Sequence, residues 1–372
     1  MTDTTLLVTV DSLRYDHYQH MTATREFLGD SHPAAFATNT ATPSCFQSII
    51  GGIYPGDVGV DADSNVAVEL DSPYKYGIST NRFLSERYGY DLGFDEFTEP
   101  GRESKGLKDK VAERMTPQSA LFGIASRAWN VVQGVQRRVS SVDREYRPAA
   151  DVVAEFLDAT DDREAWFGWL HFMEPHHPYN PEDGPVSRGE AQQITRRVLN
   201  GRASERDAEL ARELYRGEVA ELDDRLARLW DAIPDETRVL FVSDHGELLG
   251  EYGEWGHHAT MCPELLRLPL ATRNVPTDSD VLSLVDVPTL LLGREYNHGT
   301  FDRETAFAAS NGNHAAMNRD HVATDDGVVT LDGDPAEDDE LVAAKAEFEA
   351  GAARPVTKEE LPHDDLEALG YL

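Results

Sequence analysis

Lysine is almost missing from this 372-residue chain: six of its 34 basic residues are lysine, and the rest are arginine. Positive charge is scarce altogether, with 68 Asp and Glu giving a net charge of −34 at pH 7. So acidic a surface repels nucleic acid and anionic membranes, which argues against polyanion-binding functions. The acids are spread through the whole chain, Asp57 and Asp365 among them, rather than gathered in one tail. That spread points to a salt-adapted surface whose self-repulsion is screened at high ionic strength. Cysteine is scarce too, and Cys45 and Cys262 make neither a disulfide framework nor a CxxC metal motif. No apolar run approaches the roughly twenty residues of a membrane span, and no basic segment precedes the short run at Leu6. These absences predict a cytoplasmic protein without a membrane span.

What the chain does have is a set of short, continuous apolar runs. Leu6–Val10, Trp166–Phe172 and Val239–Val242 read as buried parallel strands, because they lack polar alternation. Each delivers chemistry where it stops: Asp11, then Glu174-Pro175-His176, then Ser243-Asp244-His245-Gly246. In open parallel sheets ligands bind outside the carboxyl ends of strands, so three such ends predict one shared site. Between them Leu210, Leu214, Leu222, Leu226 and Leu229 mark one face of a long helix, with acids and arginines opposite. Residues 101–150 begin polar and become amphipathic from Ser119 to Val139, which reads as a helical insertion or lid. Residues 296–372 are acidic and read as strand-poor, with turns at Asp325-Asp326-Gly327 and Asp332-Gly333-Asp334. The expected organisation is an α/β core over 1–295 with a small C-terminal subdomain, 296–372, packed on it.

Several side chains stand between a structural and a chemical reading. Thr42-Pro43 opens a helical pattern, and a Thr before Pro is ordinarily a helix cap. The chemical reading puts the Thr42 hydroxyl at a helix N-terminus that binds an anionic ester. Asp244-His245-Gly246-Glu247 directly after a strand is more specific, since a carboxylate beside an imidazole suits a divalent metal and the Gly permits a tight turn. Asp11 alone is a weak signal, since strand-terminal Asp is common, and His176-His177 alone or His257-His258 alone is more often structural than functional.

Taken in order, these segments resemble the sulfatases of the alkaline phosphatase superfamily. Val10-Asp11-Ser12-Leu13-Arg14 resembles that family's opening, whose first metal ligand is the Asp. Gly93-Phe94-Asp95-Glu96-Phe97, Glu174-Pro175-His176-His177-Pro178-Tyr179, Ser243-Asp244-His245-Gly246 and Gly256-His257 are similar to its later motifs, as is the ending Leu369-Gly370-Tyr371-Leu372. The resemblance implies an alkaline-phosphatase-like α/β fold: a mainly parallel central sheet flanked by helices. One segment departs from the pattern. Sulfatases carry Cys or Ser in (Cys/Ser)-x-Pro-x-Arg, oxidised to formylglycine, whereas this chain reads Thr42-Pro43-Ser44-Cys45-Phe46 before Tyr54-Pro55. Anchored on Tyr54-Pro55, the nucleophile position is Thr42 and Phe46 replaces the Arg. Anchored on Pro43-Ser44, it is Ala41, with Cys45 in the Arg position. Neither register leaves a formylglycine motif, and Ser44 is a rival hydroxyl.

The resemblance implies that Asp11, Asp244, His245 and the oxygen of Thr42 hold one divalent cation, for which Mn or Zn suits the mixed oxygen and nitrogen donors better than Ca or Mg. No full ligand set for a second metal is legible. His176 and His257 are expected to stabilise charge and assist the leaving group. The expected function is hydrolysis or transfer of phosphate esters through a covalent intermediate on Thr42. Alternatives are a sulfatase working without formylglycine and an inactive binding protein that keeps the fold. The expected partner is a small-molecule, glycan-linked or lipid-linked ester. The oligomeric state is not legible.

Overall fold

The computed structural model describes residues 4–55, 59–100, 146–257 and 260–351. Residues 101–145 of the proposed 101–150 insertion, residue His258 and the chain ending at Leu372 lie outside the described residues. The central sheet has six strands: β1 (Thr5–Val10), β2 (Lys75–Ile78), β3 (Glu96–Thr98), β4 (Phe167–Phe172), β5 (Arg238–Ser243) and β6 (Leu270–Arg273). Their order is β3-β2-β4-β1-β5-β6, and all neighbours are parallel except the β5–β6 pair at one edge. The strands at Leu6–Val10 and Val239–Val242 are therefore both internal, as their unbroken hydrophobicity predicts.

Alternation along β1 divides the core into two layers. Leu6, Val8 and Val10 join one apolar cluster, and Leu7 joins the other. The first layer is closed by α3 (Ala149–Thr160), α4 (Arg188–Leu199) and α5 (Glu205–Ala232). The second is closed by α2 (Thr42–Gly51), whose Phe46, Ile49 and Ile50 pack with Trp169 and Leu240. Burying each Leu or Ile side chain contributes about 1.5–3 kcal/mol, so these two layers hold the sheet ends in fixed positions.

The long helix is α5, started by a reciprocal capping box between Ser204 and Asp207. Leu214, Leu222, Leu226 and Leu229 of its leucine face are buried as expected and Leu210 partly so, but Glu218 and Asp223 are buried with them. Asp223 receives the N–H groups of Ala23 and Thr24 at 2.8 Å, tying down the start of α1 (Thr22–Leu28). Glu218 accepts the N–H of Asn180. These acids are anchors for neighbouring backbone rather than part of a solvated face.

The expectation of a strand-poor C-terminal part is corrected. Residues beyond 305 form a five-stranded antiparallel sheet: β7 (Ala306–Ser310), β8 (Asn313–Met317), β9 (His321–Thr324), β10 (Gly327–Thr330) and β11 (Pro335–Ala336), followed by α6 (Asp339–Gly351). The first two strands are rich in Ala, which has low strand propensity, so their sequence carries little strand signal. The two turns were legible: Gly327 and Gly333 take φ values of 128° and 88°, which glycine adopts without strain. Ala306, Ala308, Ala315, Met317 and Val322 join the same apolar layer as α2. No described helix is long and apolar enough to cross a membrane.

Candidate metal centre and nucleophile

Strand register brings the two carboxylates together. Val10 pairs with Ser243, so Asp11 and Asp244 leave adjacent parallel strands side by side. Ser12 then takes φ 61°, an uncommon conformation for a residue with a side chain. In that conformation its N–H donates to Asp244 Oδ1 at 3.1 Å and its hydroxyl to Asp11 Oδ1 at 2.9 Å. Asn81, just past the end of β2, donates to Asp11 Oδ2 at 3.2 Å. Asp244 Oδ2 is buried and has no hydrogen-bond donor.

His245 completes the group. Its Nδ1 donates to the Gly246 carbonyl at 2.9 Å, which turns Nε2 inward. Nε2 lies 3.5 Å from Asp244 Oδ2 and 3.8 Å from Asp11 Oδ1. Gly246 is needed for a different reason from the one the sequence suggested. Its φ is not in the left-handed range, but a Cβ there would meet the Glu264 carbonyl oxygen at 1.9 Å. Close backbone approach, not a tight turn, excludes a side chain.

Thr42 is the first residue of α2, and Ala41 occupies the cap position without a side-chain bond. The Thr42 hydroxyl does not cap the helix. It donates to Asp11 Oδ2 at 3.2 Å and lies 3.2 Å from His245 Nε2. The preceding loop is held by β7: the Ala309 N–H donates to the Thr38 carbonyl at 3.0 Å, and Asn39 Nδ2 donates to the Ala309 carbonyl. Thr40 adds a hydroxyl bond to Ser310 at 3.2 Å. The C-terminal sheet thus positions the helix start that carries Thr42.

Asp11, Thr42, Asp244 and His245 are fully buried. Burial and the neighbouring Asp11 carboxylate push Asp244 up to about 7. Burial opposes ionisation of Asp11 as well, but His176, His245 and His171 around it hold it below its ordinary value. Burial also works against a charged His245, and the two carboxylates override it, raising the imidazole. Two carboxylates and an imidazole with ligand atoms within 4.8 Å, one carboxylate oxygen lacking any donor, fit a divalent cation.

His176 and His257 border this group. Their Nε2 atoms are 3.0 Å apart, and the His257 and His245 rings lie 4.4 Å apart between centroids. Burial lowers His176 to about 4 and carries His257 well below its ordinary value. Two neighbours, His171 and Asn81, were not read from the sequence. His171 sits inside β4 with Nε2 3.9 Å from Asp11 Oδ2, and burial lowers it to about 4. Phe46, which replaces the sulfatase Arg in the register anchored on Tyr54-Pro55, packs edge-on against it at 5.0 Å. Asn81 could have been found by applying the strand-end rule to Lys75–Ile78; His171 had no signal, being one polar residue in an apolar run. Glu247, read only as the end of the tetrad after β5, is fully buried and takes bonds from His177 at 3.0 Å and Tyr179 at 2.7 Å.

A mainly parallel α/β sheet with acid, imidazole and hydroxyl gathered at its strand ends defines an alkaline-phosphatase-like protein. The sulfatase family profile matches residues 72–279, and the chain belongs to that family, a group of ester hydrolases and transferases. The match contains His176, Asp244, His245 and His257; Asp11 and Thr42 precede it. The chain is 35% identical over 148 residues to the low-salt glycan biosynthesis sulfotransferase Agl7 of Haloferax volcanii, covering 35% of this chain and 34% of that protein. Matches to curated relatives span about a third or less of those proteins' lengths. Similar solved structures include a phosphonate monoester hydrolase from Silicibacter pomeroyi, with TM-score 0.58, 15% identity and 94% of each chain covered. A protein of the alkaline phosphatase superfamily from Vibrio parahaemolyticus aligns with TM-score 0.54 and 14% identity over 94% of this chain and 86% of that one. At such identities the likeness is one of fold.

Proposed function

We propose that this chain hydrolyses or transfers phosphate esters through a covalent intermediate on Thr42. The observation that carries the reading is the Thr42 hydroxyl, placed within 3.2 Å of both Asp11 Oδ2 and His245 Nε2. Asp11, Asp244 and His245 would hold one divalent cation, with the Thr42 oxygen as a fourth donor. Such a cation supplies Lewis-acid stabilisation of an ionised hydroxyl and of the anionic ester. Mn or Zn suits the donors.

The rest is done by the protein. Asp11 Oδ2, which the Thr42 hydroxyl already faces as a donor, offers an acceptor for the proton a hydroxyl must lose to attack near neutral pH. The Thr42 oxygen bonds to phosphorus as the bond to the leaving oxygen breaks, and that oxygen departs as the alcohol by taking a proton from solvent. Water or an acceptor alcohol then takes the phosphoryl group and frees Thr42. The start of α2 keeps the hydroxyl in line with the reacting centre, held by β7 through Thr38, Asn39 and Thr40. His176 and His257 stand beside the cation ligands, where the ester's remaining oxygens and leaving group would lie.

Sulfuryl transfer at the same site is the second reading. It is favoured by the sulfotransferase of Haloferax volcanii, whose name ties a relative to sulfate and a glycan. The substrate under either reading is a small, glycan-linked or lipid-linked ester. Assays of the purified chain in molar KCl with aryl phosphate, phosphodiester and aryl sulfate, across Mn, Zn, Mg and Ca, separate the two. Turnover should coincide with mass-spectrometric labelling of the peptide containing Thr42. Failure on every ester with every metal would leave the fold serving as a binding protein.

A further inference from the structure

His171 is an unusual occupant of β4. The residue is fully buried, and its Nε2 has no hydrogen-bond partner among the described residues. An apolar side chain would fill the same space without leaving a buried polar atom unsatisfied, so the imidazole calls for a reason. Nε2 lies 3.9 Å from Asp11 Oδ2, the oxygen that also takes the Thr42 hydroxyl and Asn81 Nδ2, each at 3.2 Å.

The ring is held from several sides. His171 pairs in register with Thr9 of β1, and its Nδ1 lies 3.1 Å from the Thr9 hydroxyl. That hydroxyl accepts Trp169 Nε1–H at 3.0 Å, and its own proton can go to the Leu170 carbonyl at 3.3 Å or to the nearer Nδ1. Thr80 donates to the His171 carbonyl at 2.9 Å. Phe46 meets the imidazole edge-on, with centroids 5.0 Å apart. Thr42 and Phe46 are four residues apart on α2, so one helix face carries both the hydroxyl that meets Asp11 and the ring that packs on His171. Electrostatics decides which imidazole nitrogen holds a proton. With a proton on Nδ1 alone, a buried Nε2 lone pair would face a carboxylate, and the two would repel. With Thr9 donating to Nδ1, Nε2 carries the proton and faces Asp11 Oδ2 with the favourable sign.

We propose that His171 is a positioning residue for Asp11: its Nε2–H points at Oδ2 and, together with Asn81 and the Ser12 hydroxyl, sets the plane of that carboxylate toward the cation. At 3.9 Å the contact is electrostatic rather than a hydrogen bond, and in a fully buried site such attraction is little screened. Asp11 and Asp244 leave adjacent strands and share one cation only if both carboxylates face it, so a group that fixes one of them governs the pair. Carboxylates that hold a metal are ordinarily oriented by a surrounding shell of donors, and losing a member of that shell weakens metal binding. This role depends on Asp11 being a cation ligand and not on ester chemistry at Thr42.

The test combines two readouts on the full chain in molar KCl. Nitrogen-15 NMR of histidine-labelled, metal-free protein, with the His171 ring signals identified by their loss in His171→Phe, should show the proton on Nε2 and none on Nδ1. Mn titration followed by electron paramagnetic resonance gives the dissociation constant. His171→Phe keeps a ring and removes both nitrogens; it should weaken Mn binding about 10–100-fold at an unchanged or raised thermal midpoint. His171→Leu takes its place if the Phe variant does not fold. His171→Gln returns an N–H near the position of Nε2 and should recover most of the loss. A proton on Nδ1 alone, or a folded His171→Phe with wild-type Mn affinity, overturns the role and leaves the Thr42 reading intact. Equal losses in the Phe and Gln variants, both with lowered midpoints, would mark His171 as core packing and overturn it too. A wild type that binds no Mn would sink the cation reading and this role with it. The expected Mn losses with no turnover of any ester would instead sink only the chemistry at Thr42.

Discussion

The Thr42 hydroxyl lies 3.2 Å from Nε2 of His245, a residue 203 positions further along the chain. Because that hydroxyl is not used as a helix cap, removing it should leave α2 intact. Thr42→Ala is expected to lower kcat by about a thousandfold or more, with thermal midpoint and metal uptake close to wild type. Thr42→Ser should retain measurable activity, and Ser44→Ala should be nearly unaffected. Initial rates on the preferred ester decide it. A fully active Thr42→Ala beside a dead Ser44→Ala would move the nucleophile to Ser44.

Asp11 and Asp244 are buried carboxylates at adjacent strand ends, so their ionised forms repel each other. In the metal-free protein, Asp244→Asn should raise stability by about 1–2 kcal/mol, a few degrees in midpoint, because it removes one charge and keeps the Oδ1 acceptor. The same change should abolish the stabilisation that added Mn gives the wild type. Differential scanning fluorimetry with chelator and with Mn measures both. A lower metal-free midpoint combined with a surviving Mn shift would contradict the site.

Glu155 couples α3 to the edge of the sheet. It accepts from Tyr76 at 2.6 Å, from Thr98 at 2.8 Å and from Arg147. Burial opposes its ionisation, but the bonds from Arg147, Tyr76 and Thr98 outweigh that and depress its carboxyl. A depressed carboxyl contributes stability that is complete above its unfolded value of about 4.3 and is lost as pH falls through the folded value. The wild type should therefore exceed Glu155→Gln in stability at pH 6, and the gap should close as pH falls below about 4. Urea midpoints across that range test the sign; a gap that widens in acid would refute it.

Salt should stabilise this protein strongly. With a net charge of −34, the folded state carries repulsion that about 1 M salt screens to within roughly 3 Å. The thermal midpoint is expected to rise steadily between 0.2 and 3 M KCl, by on the order of 10 °C or more. A flat profile would remove the salt-adapted reading of the surface.

The amino-acid sequence alone determined the two central strands and the carboxylates at their ends. Leu6–Val10 and Val239–Val242 are buried on both faces, so hydrophobicity is continuous and the break at Asp11 and Asp244 is plain. The family resemblance pointed to Thr42, His176 and His257, and the structure brings all three beside those carboxylates or their neighbour His245. The C-terminal sheet was missed because its first strands are built of Ala, whose burial there depends on packing against the α2 layer rather than on propensity. Tertiary structure alone decided the fine chemistry. Whether the Thr42 hydroxyl caps a helix or faces His245 depends on where β7 holds the loop before it. Which nitrogen of His171 carries the proton depends on Thr9 and Asp11, on the neighbouring strand and at its end. Hydrophobic pattern is a local record of burial; the direction of a lone pair is set by atoms distant in sequence, and no periodicity records it.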